Sequence, residues 1–536
     1  MGAKEYDAHA IEVEKLEEPS FKLDGDVQLI FNAHTQRLPA VSHDPNDPLA
    51  YPTWRRWTIM ATLIWFSIFS LLSISGLGTI TETLVKVYAG QATSADVQSL
   101  TTYPTMLMAV GSFVLLPLAF VIGRRPVFLI AVVICFITFI TAGTSKNYNA
   151  HFISRIFTGL ATGTTETLLP LIISDMTFLD QRSSYFGIYW ALQNTINAAV
   201  LLILPYIVEG TTWRWYYFFF VIIMGVGLLF AIFFLPETRF PRSPMAISGK
   251  TIYTDDFGHT HILSNDEAIG RFGAVPSADE HEPMLKRTFL QEMAPYRGLT
   301  PNAWKIWVQA YIEIAKSLTS PAVVWVLLLS SICIGTSIGI VISYSIILEE
   351  QFNWSATSVG LFNAGIIPAS LIGMVYSGWS GDKVNLWMAK RNNGVHRPEH
   401  HLVLLTVPVI ACLVGLIAIA IPANEPYKYS VWGMIIGWAI FEFGFVGIVI
   451  TTTSFAAEVV PKSPGAAMVI VIGGKNLVSF GASQGIIPMV ARFGYLTSLM
   501  ILFAIFAFIA LLGIPVYFLN GKWRKMTAQS ATGTTV

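Results

Sequence analysis

The sequence predicts an all-α membrane protein: twelve transmembrane helices in two pseudo-symmetric six-helix bundles. Three observations carry that prediction. Twelve apolar runs recur along the chain, each about as long as the 20 residues a helix needs to cross a bilayer. They fall as six, a polar gap, and six more. Charged residues are only 12% of the 536 and hydrophobic ones 54%, where soluble domains carry roughly 25% charge.

Taken in order, residues 1–54 are polar and are expected to be a disordered cytoplasmic tail. The chain starts Met1-Gly2-Ala3-Lys4 with no apolar stretch of a cleavable signal, and Tyr6 stands where a myristoylation signal wants Ser or Thr. The tail ends in Asp44-Pro45-Asn46-Asp47-Pro48, then Trp54-Arg55-Arg56-Trp57, suited to anchor helix one at the headgroups. The first bundle, 55–235, is read as helices at about 56–80, 98–121, 126–144, 150–175, 184–207 and 213–235. A cytoplasmic connector, 236–320, follows. Trp304, Trp307, Val308, Tyr311 and Ile314 recur in it at helical spacing, which predicts a helix on the membrane surface. The second bundle, 321–520, is read at about 321–347, 356–379, 401–421, 430–455, 465–490 and 495–519, with a short tail at 521–536.

Basic residues set the orientation. Arg124, Arg125, Arg182, Arg239, Arg242, Lys383, Lys390, Arg391, Lys462 and Lys522–Lys525 fall on one set of loops, which is therefore cytoplasmic along with both termini. The opposite loops carry Glu349, Glu350 and Glu425, and include the sequon Asn353-Trp354-Ser355, a permitted glycosylation site. The formal net charge is zero, so no nucleic-acid partner is indicated. Cys135, Cys333 and Cys412 all lie inside apolar runs and read as packing residues. No cofactor and no metal are expected.

Six helices plus six imply a central cavity between the bundles and hence a secondary transporter. A Walker-type phosphate loop is absent, so ATP is not the direct driver. His396-Arg397-Pro398-Glu399-His400-His401 looks like one box of a di-iron enzyme, but no second box accompanies it. A nutrient sensor would need a longer tail than the one after Lys525.

An internal repeat carries a family resemblance. Leu116-Pro117-Leu118-Ala119-Phe120-Val121-Ile122-Gly123-Arg124-Arg125 and Gly378-Trp379-Ser380-Gly381-Asp382-Lys383 occupy equivalent places in the two halves. Both resemble the Gly-x-Leu-Ala-Asp-Arg-x-Gly-Arg-Arg loop motif of the major facilitator superfamily. The first copy has Phe120 in place of the Asp; the second keeps Gly378, Asp382 and a basic Lys383. Asp44–Leu49, Pro236-Glu237-Thr238, Ala389–Gly394 with Arg397-Pro398-Glu399, and Gly474-Lys475-Asn476 resemble the fungal twelve-helix branch of drug:proton antiporters and polyamine transporters. The resemblance spans about residues 44–520. It implies a small-molecule substrate, protons as coupling ion, a bilayer as surroundings, a monomer, and a plasma or vacuolar membrane. Export of a drug or secondary metabolite is one direction. The stretch Ala191–Ala199 lacks the Gly-Pro-rich helix-five motif of antiporter members, and this favours the other direction, uptake of an organic cation such as a polyamine.

Ionisable groups at mid-membrane cost about 2.5–3.5 kcal/mol and mark a pathway. Glu166 in helix four and Glu442 in helix ten are the first candidates, as proton or cation sites. Lys475 in helix eleven lies at a depth comparable to Glu442, which predicts a structural Glu442–Lys475 pair, with a direct substrate role for Lys475 as the alternative. Arg155 resembles the superfamily's helix-four arginine linked to proton coupling; it otherwise reads as a side chain snorkelling outward. Arg155 and Glu166 lie 11 residues, about three turns, apart, so they would communicate through water, Asn194 or Asn197. Arg124, Arg125, Asp175, Arg182, Asp382, Lys383 and Glu458 are expected to form a charge layer that gates the inner mouth. Gly159-x-x-x-Gly163 and Gly335-x-x-x-Gly339 are read as close-packing faces. Trp65, Phe66, Tyr344 and Trp438 are candidate cavity aromatics.

Overall fold

A computed structural model describes residues 27–28, 30–31, 34–35, 38–39, 44–209, 212–240, 245–247, 250–254, 260–264, 286–300, 302–354, 356–459 and 464–532. Among these, twelve helices are long and apolar enough to cross a membrane. The first six are α1 Thr53–Gly78, α2 Ser94–Ile122, α3 Arg124–Gly143, α4 Tyr148–Asp175, α5 Arg182–Ile203 and α6 Trp213–Phe234. The second six are α7 Pro321–Val341, α8 Gly360–Arg391, α9 His400–Asn424, α10 Val431–Val459, α11 Gly465–Ile486 and α12 Pro488–Arg524.

Local chemistry sets several of the ends. Thr93 and Asp96 form a capping box at the start of α2, with Thr93 N donating to Asp96 Oδ2 at 2.8 Å. Asn147 caps α4 by accepting from Ala150 N at 2.8 Å. Gly123, at φ 106°, is the single residue that separates α2 from α3, so the first repeat motif is almost wholly helical. The second motif is also no loop. It lies inside α8, which carries a π-helical turn at Met374–Trp379 and continues to Arg391, twelve residues beyond the end expected at 379.

Within the first bundle α2 packs on α4, and α3 on α6. A Cβ on Gly159 or Gly163 would collide with the backbone carbonyls of Pro104 or Met108, so the small-residue face of α4 does let α2 approach. Within the second bundle α9 packs on α10 and α7 on α11. The bundles meet where α5 contacts α8 and α10, and where α2 contacts α11.

A belt lies across the basic side. Asp47 caps the turn Pro48–Ala50, and Asn46, Asp47, Leu49 and Tyr51 are buried, so this end of the predicted tail is packed against the protein. Arg55 pairs with Glu292 at 2.6 Å, and Arg287 N donates to Asn46 Oδ1 at 2.9 Å. Residues 1–26 of the predicted tail lie outside the described residues. Val27–Gln28 form a short antiparallel ladder with Val395–His396. The connector contains three short antiparallel strands, Met245–Ile247, Lys250–Thr254 and Thr260–Ser264. A helix is present at Ala303–Ser317, within the connector; Ile306, Ala310 and Ile314 are buried, and Tyr311 donates to Phe113 O of α2 at 3.1 Å. At the C-terminus the helix runs on to Thr532, with residues 533–536 outside the described residues.

Candidate transport pathway and inner gate

The polar run of α4 places Glu166 in the protein interior. Lys475 Nζ of α11 lies 2.9 Å from Glu166 Oε2, and both side chains are about 95% buried, at 5% exposure each. The expected Glu442–Lys475 pair does not form. The reason is the rotation of α11. Gly473 sits so close to α2 and α4 that a Cβ there would lie 2.7 Å from Ser112 Cβ and 3.5 Å from Thr167. That approach turns Lys475 toward the first bundle, where the Trp190 ring of α5 also lies 5.0 Å from its ammonium. The ion pair therefore ties one bundle to the other.

Glu442 has neutral partners instead. It accepts from Asn194 Nδ2 of α5 at 2.9 Å and from Ser337 Oγ at 3.4 Å. Asn194 Nδ2 also reaches Ser370 Oγ of α8 at 3.0 Å, making a second link between the bundles. Among the described residues no ion pair engages Glu442. Beside it stands a ladder of rings, Tyr344, Phe362, Trp438 and Phe441, with successive interplanar angles of 13°, 15° and 10°. Asn363 stitches the ladder: its Nδ2 donates to Tyr344 Oη at 3.2 Å, and its Oδ1 accepts from Trp438 Nε1 at 3.3 Å. Sequence reasoning missed Ser337, Phe362, Asn363 and Ser370. A polar Asn363 inside an apolar run was the signal available. Trp65 and Phe66 are not cavity aromatics: Trp65 donates to Ile223 O of α6, and Phe66 packs on Phe128.

Arg155 is fully buried and does not snorkel. It donates to Leu100 O at 3.0 Å and Ser73 O at 2.8 Å, so it binds the carbonyls of α2 and α1. Asn194, engaged with Glu442, does not bridge Arg155 and Glu166. Asn197 is half-buried, and its Oδ1 has no hydrogen-bond partner among the described residues.

The residues expected to gate the inner mouth separate into two groups. In the first bundle Arg124 pairs with Asp175 at 3.3 Å. The Glu237 carboxylate accepts from Arg124 N at 2.9 Å and Arg125 N at 3.1 Å, supplying the anion that a helix N-terminus favours. The Arg125 guanidinium caps the end of α6, donating to Leu235 O and to Ile232 O. Across the bundles, Asp382 of α8 accepts from the backbone N–H groups of Ser183 and Ser184 at 3.0 Å each, at the start of α5. Arg182 of α5 lies 3.9 Å from Glu458 Oε1 of α10. Gly378 faces Gly187 of α5. Lys383 is outside this layer: it is exposed, with its ammonium 3.4 Å from the Trp379 ring centroid. Asn353 is exposed at φ 53°, and Ser355 of its sequon lies outside the described residues.

Twelve spans in two bundles, joined across a buried polar layer, define a multi-pass membrane transporter. Residues 57–483 match the model of the Major Facilitator Superfamily, and the chain belongs to that family. An MFS-type transporter of Schizosaccharomyces pombe is 23% identical over 459 residues, covering 80% of this chain and 76% of that one. The MFS-type efflux pump MMF1 of Pseudozyma antarctica is 25% identical over 199 residues, 37% of this chain and 36% of that protein. The solved structure of the proton:xylose symporter XylE superposes with a TM-score of 0.58 at 14% identity, covering 88% of this chain and 97% of that one. The family and its fold are those of transporters, not enzymes, which disposes of the di-iron reading of the histidine run.

Proposed function

We propose that this protein exports a small organic molecule by alternating access, in exchange for protons, with Glu166 as the proton site. The carrying observation is the Glu166–Lys475 pair, which joins α4 to α11 across the two bundles. Rocking the bundles apart must separate the two charges. Parting a buried pair without compensation costs about 3–5 kcal/mol. A proton on Glu166 removes one of the two charges, so proton occupancy and bundle motion become linked. The likeness to an efflux pump supports the outward direction.

Glu442, Asn194 and the neighbouring ring ladder form the cargo site in this reading. A buried carboxylate with only neutral partners beside aromatic faces suits an amphipathic organic cation. That same feature favours the second reading, uptake of an organic cation such as a polyamine. Both termini lie in the cytoplasm, and the plasma membrane is the proposed location.

The test uses proteoliposomes with an imposed pH gradient. Glu166→Gln is expected to abolish gradient-driven accumulation while the purified protein keeps its elution profile. Normal accumulation by that variant would overturn the proton assignment. Comparing metabolites between cells that lack and cells that overexpress the protein identifies cargo and direction.

A further inference from the structure

The histidine run that the sequence leaves as one incomplete box finds another ligand in three dimensions. His396 follows α8, His401 opens α9, and Glu458 lies near the inner end of α10. His396 Nε2 is 2.8 Å and His401 Nε2 3.1 Å from the same atom, Glu458 Oε2. All three side chains are buried, and one donor atom from each lies within 4.8 Å of the others. We propose that His396, His401 and Glu458 bind a single divalent zinc-class ion at the cytoplasmic end of the second bundle.

Ligands at tetrahedral angles on a zinc ion, with bonds of about 2.0–2.1 Å, lie about 3.3 Å apart. The two separations to Glu458 Oε2, 2.8 and 3.1 Å, are a few tenths of an ångström short of that, and the three donor atoms all lie within 4.8 Å of one another. Two imidazoles and one carboxylate form the set of an ion with an open fourth position. The alternative is a plain hydrogen-bonded cluster in which both Nε2 atoms donate to Oε2. That arrangement makes His401 Nδ1 an acceptor from Asn385 Nδ2, at 3.0 Å. The amide's two orientations are equivalent in shape. Turned over, its Oδ1 accepts from a protonated Nδ1 and frees Nε2 for a metal, the arrangement that outer groups impose on metal-bound histidines.

The ion competes with Arg182, whose guanidinium lies 3.9 Å from Glu458 Oε1 and comes from the other bundle. Zinc therefore loosens an inter-bundle contact of the inner gate while tying the segment after α8 to α10. The neighbouring His400 is not one of the three; its Nδ1 accepts from Arg397 N at 3.4 Å.

The experiment measures zinc bound by purified full-length protein after chelator stripping and equilibration with micromolar zinc. Wild type is expected to retain one more ion per chain than His401→Gln. The variant His396→Asn, outside the predicted spans, is expected to lose at least tenfold in affinity while keeping a wild-type elution profile. Asn385→Leu is expected to weaken binding about tenfold, as removal of an outer partner does. Substituting cobalt for zinc should give the visible absorption of a tetrahedral site. Equal zinc in wild type and both histidine variants overturns the proposal.

Discussion

The two copies of the repeated motif join the bundles by different physics. In the second half, Asp382 of α8 caps the start of α5 with two backbone hydrogen bonds and the Ser184 hydroxyl. In the first half, Phe120 of α2 stands at the position equivalent to that Asp. Its ring lies against the start of α11, where a Cβ on Gly465 would be 2.6 Å from Phe120 Cζ. One seam is held by an anion at a helix N-terminus. The other is held by apolar contact, with Arg124 turned back over the Phe120 ring at 5.2 Å and onto Asp175. Equivalent places in a duplicated unit thus do not need equivalent chemistry. The charged seam is directional and strong when made; the apolar seam tolerates sliding.

Substitutions can break this contrast. The largest effect is expected from Gly187→Leu. A Cβ at Gly187 would lie 2.8 Å from Gly378 Cα, backbone against helix, with no flexible side chain to give way. Overpacking of that kind costs about 3 kcal/mol, and it wedges α5 from α8. Transport should cease, and cysteines placed along the inner mouth should become reactive to a cytoplasmic thiol reagent. Next comes Asp382→Ala. It strips a charge-assisted cap from two N–H groups and should destabilise the protein by about 2 kcal/mol, read as a lowered melting temperature and raised accessibility at that seam. The smallest effect is expected from Phe120→Leu, about 1 kcal/mol, with transport largely kept. If Phe120→Leu matched Asp382→Ala in accessibility, the two seams would be equal in strength and the contrast would fail.

How much of this was legible beforehand differs by level. The twelve spans were readable because bilayer thickness imposes a run length that survives in a single sequence. The helix Ala303–Ser317 was readable from its apolar periodicity, but its buried face was not: Ile306, Ala310 and Ile314 are buried, while Trp304 is exposed. The end of α8 was not, since the polar segment Ser380–Arg391 leaves the apolar run yet stays helical. Glu166, Glu442 and Lys475 stood out because charge inside an apolar run is costly. Their partners did not. Depth along two helices is nearly a linear function of residue number, and it placed Lys475 level with Glu442. Rotation about the helix axis is not, and it turned Lys475 to Glu166.

What the sequence determined by itself, then, is the number of crossings and which side chains are too polar to be left facing lipid. Each follows from local transfer energies that act residue by residue. What only the tertiary structure decided is who meets whom. The Glu166–Lys475 link, the Asn194 bridge to Glu442, and the convergence of His396 and His401 on Glu458 are examples. Each depends on how neighbouring helices are turned and how closely glycines such as Gly473 let them approach. Those choices are settled by packing between distant segments, which a single chain of letters does not record.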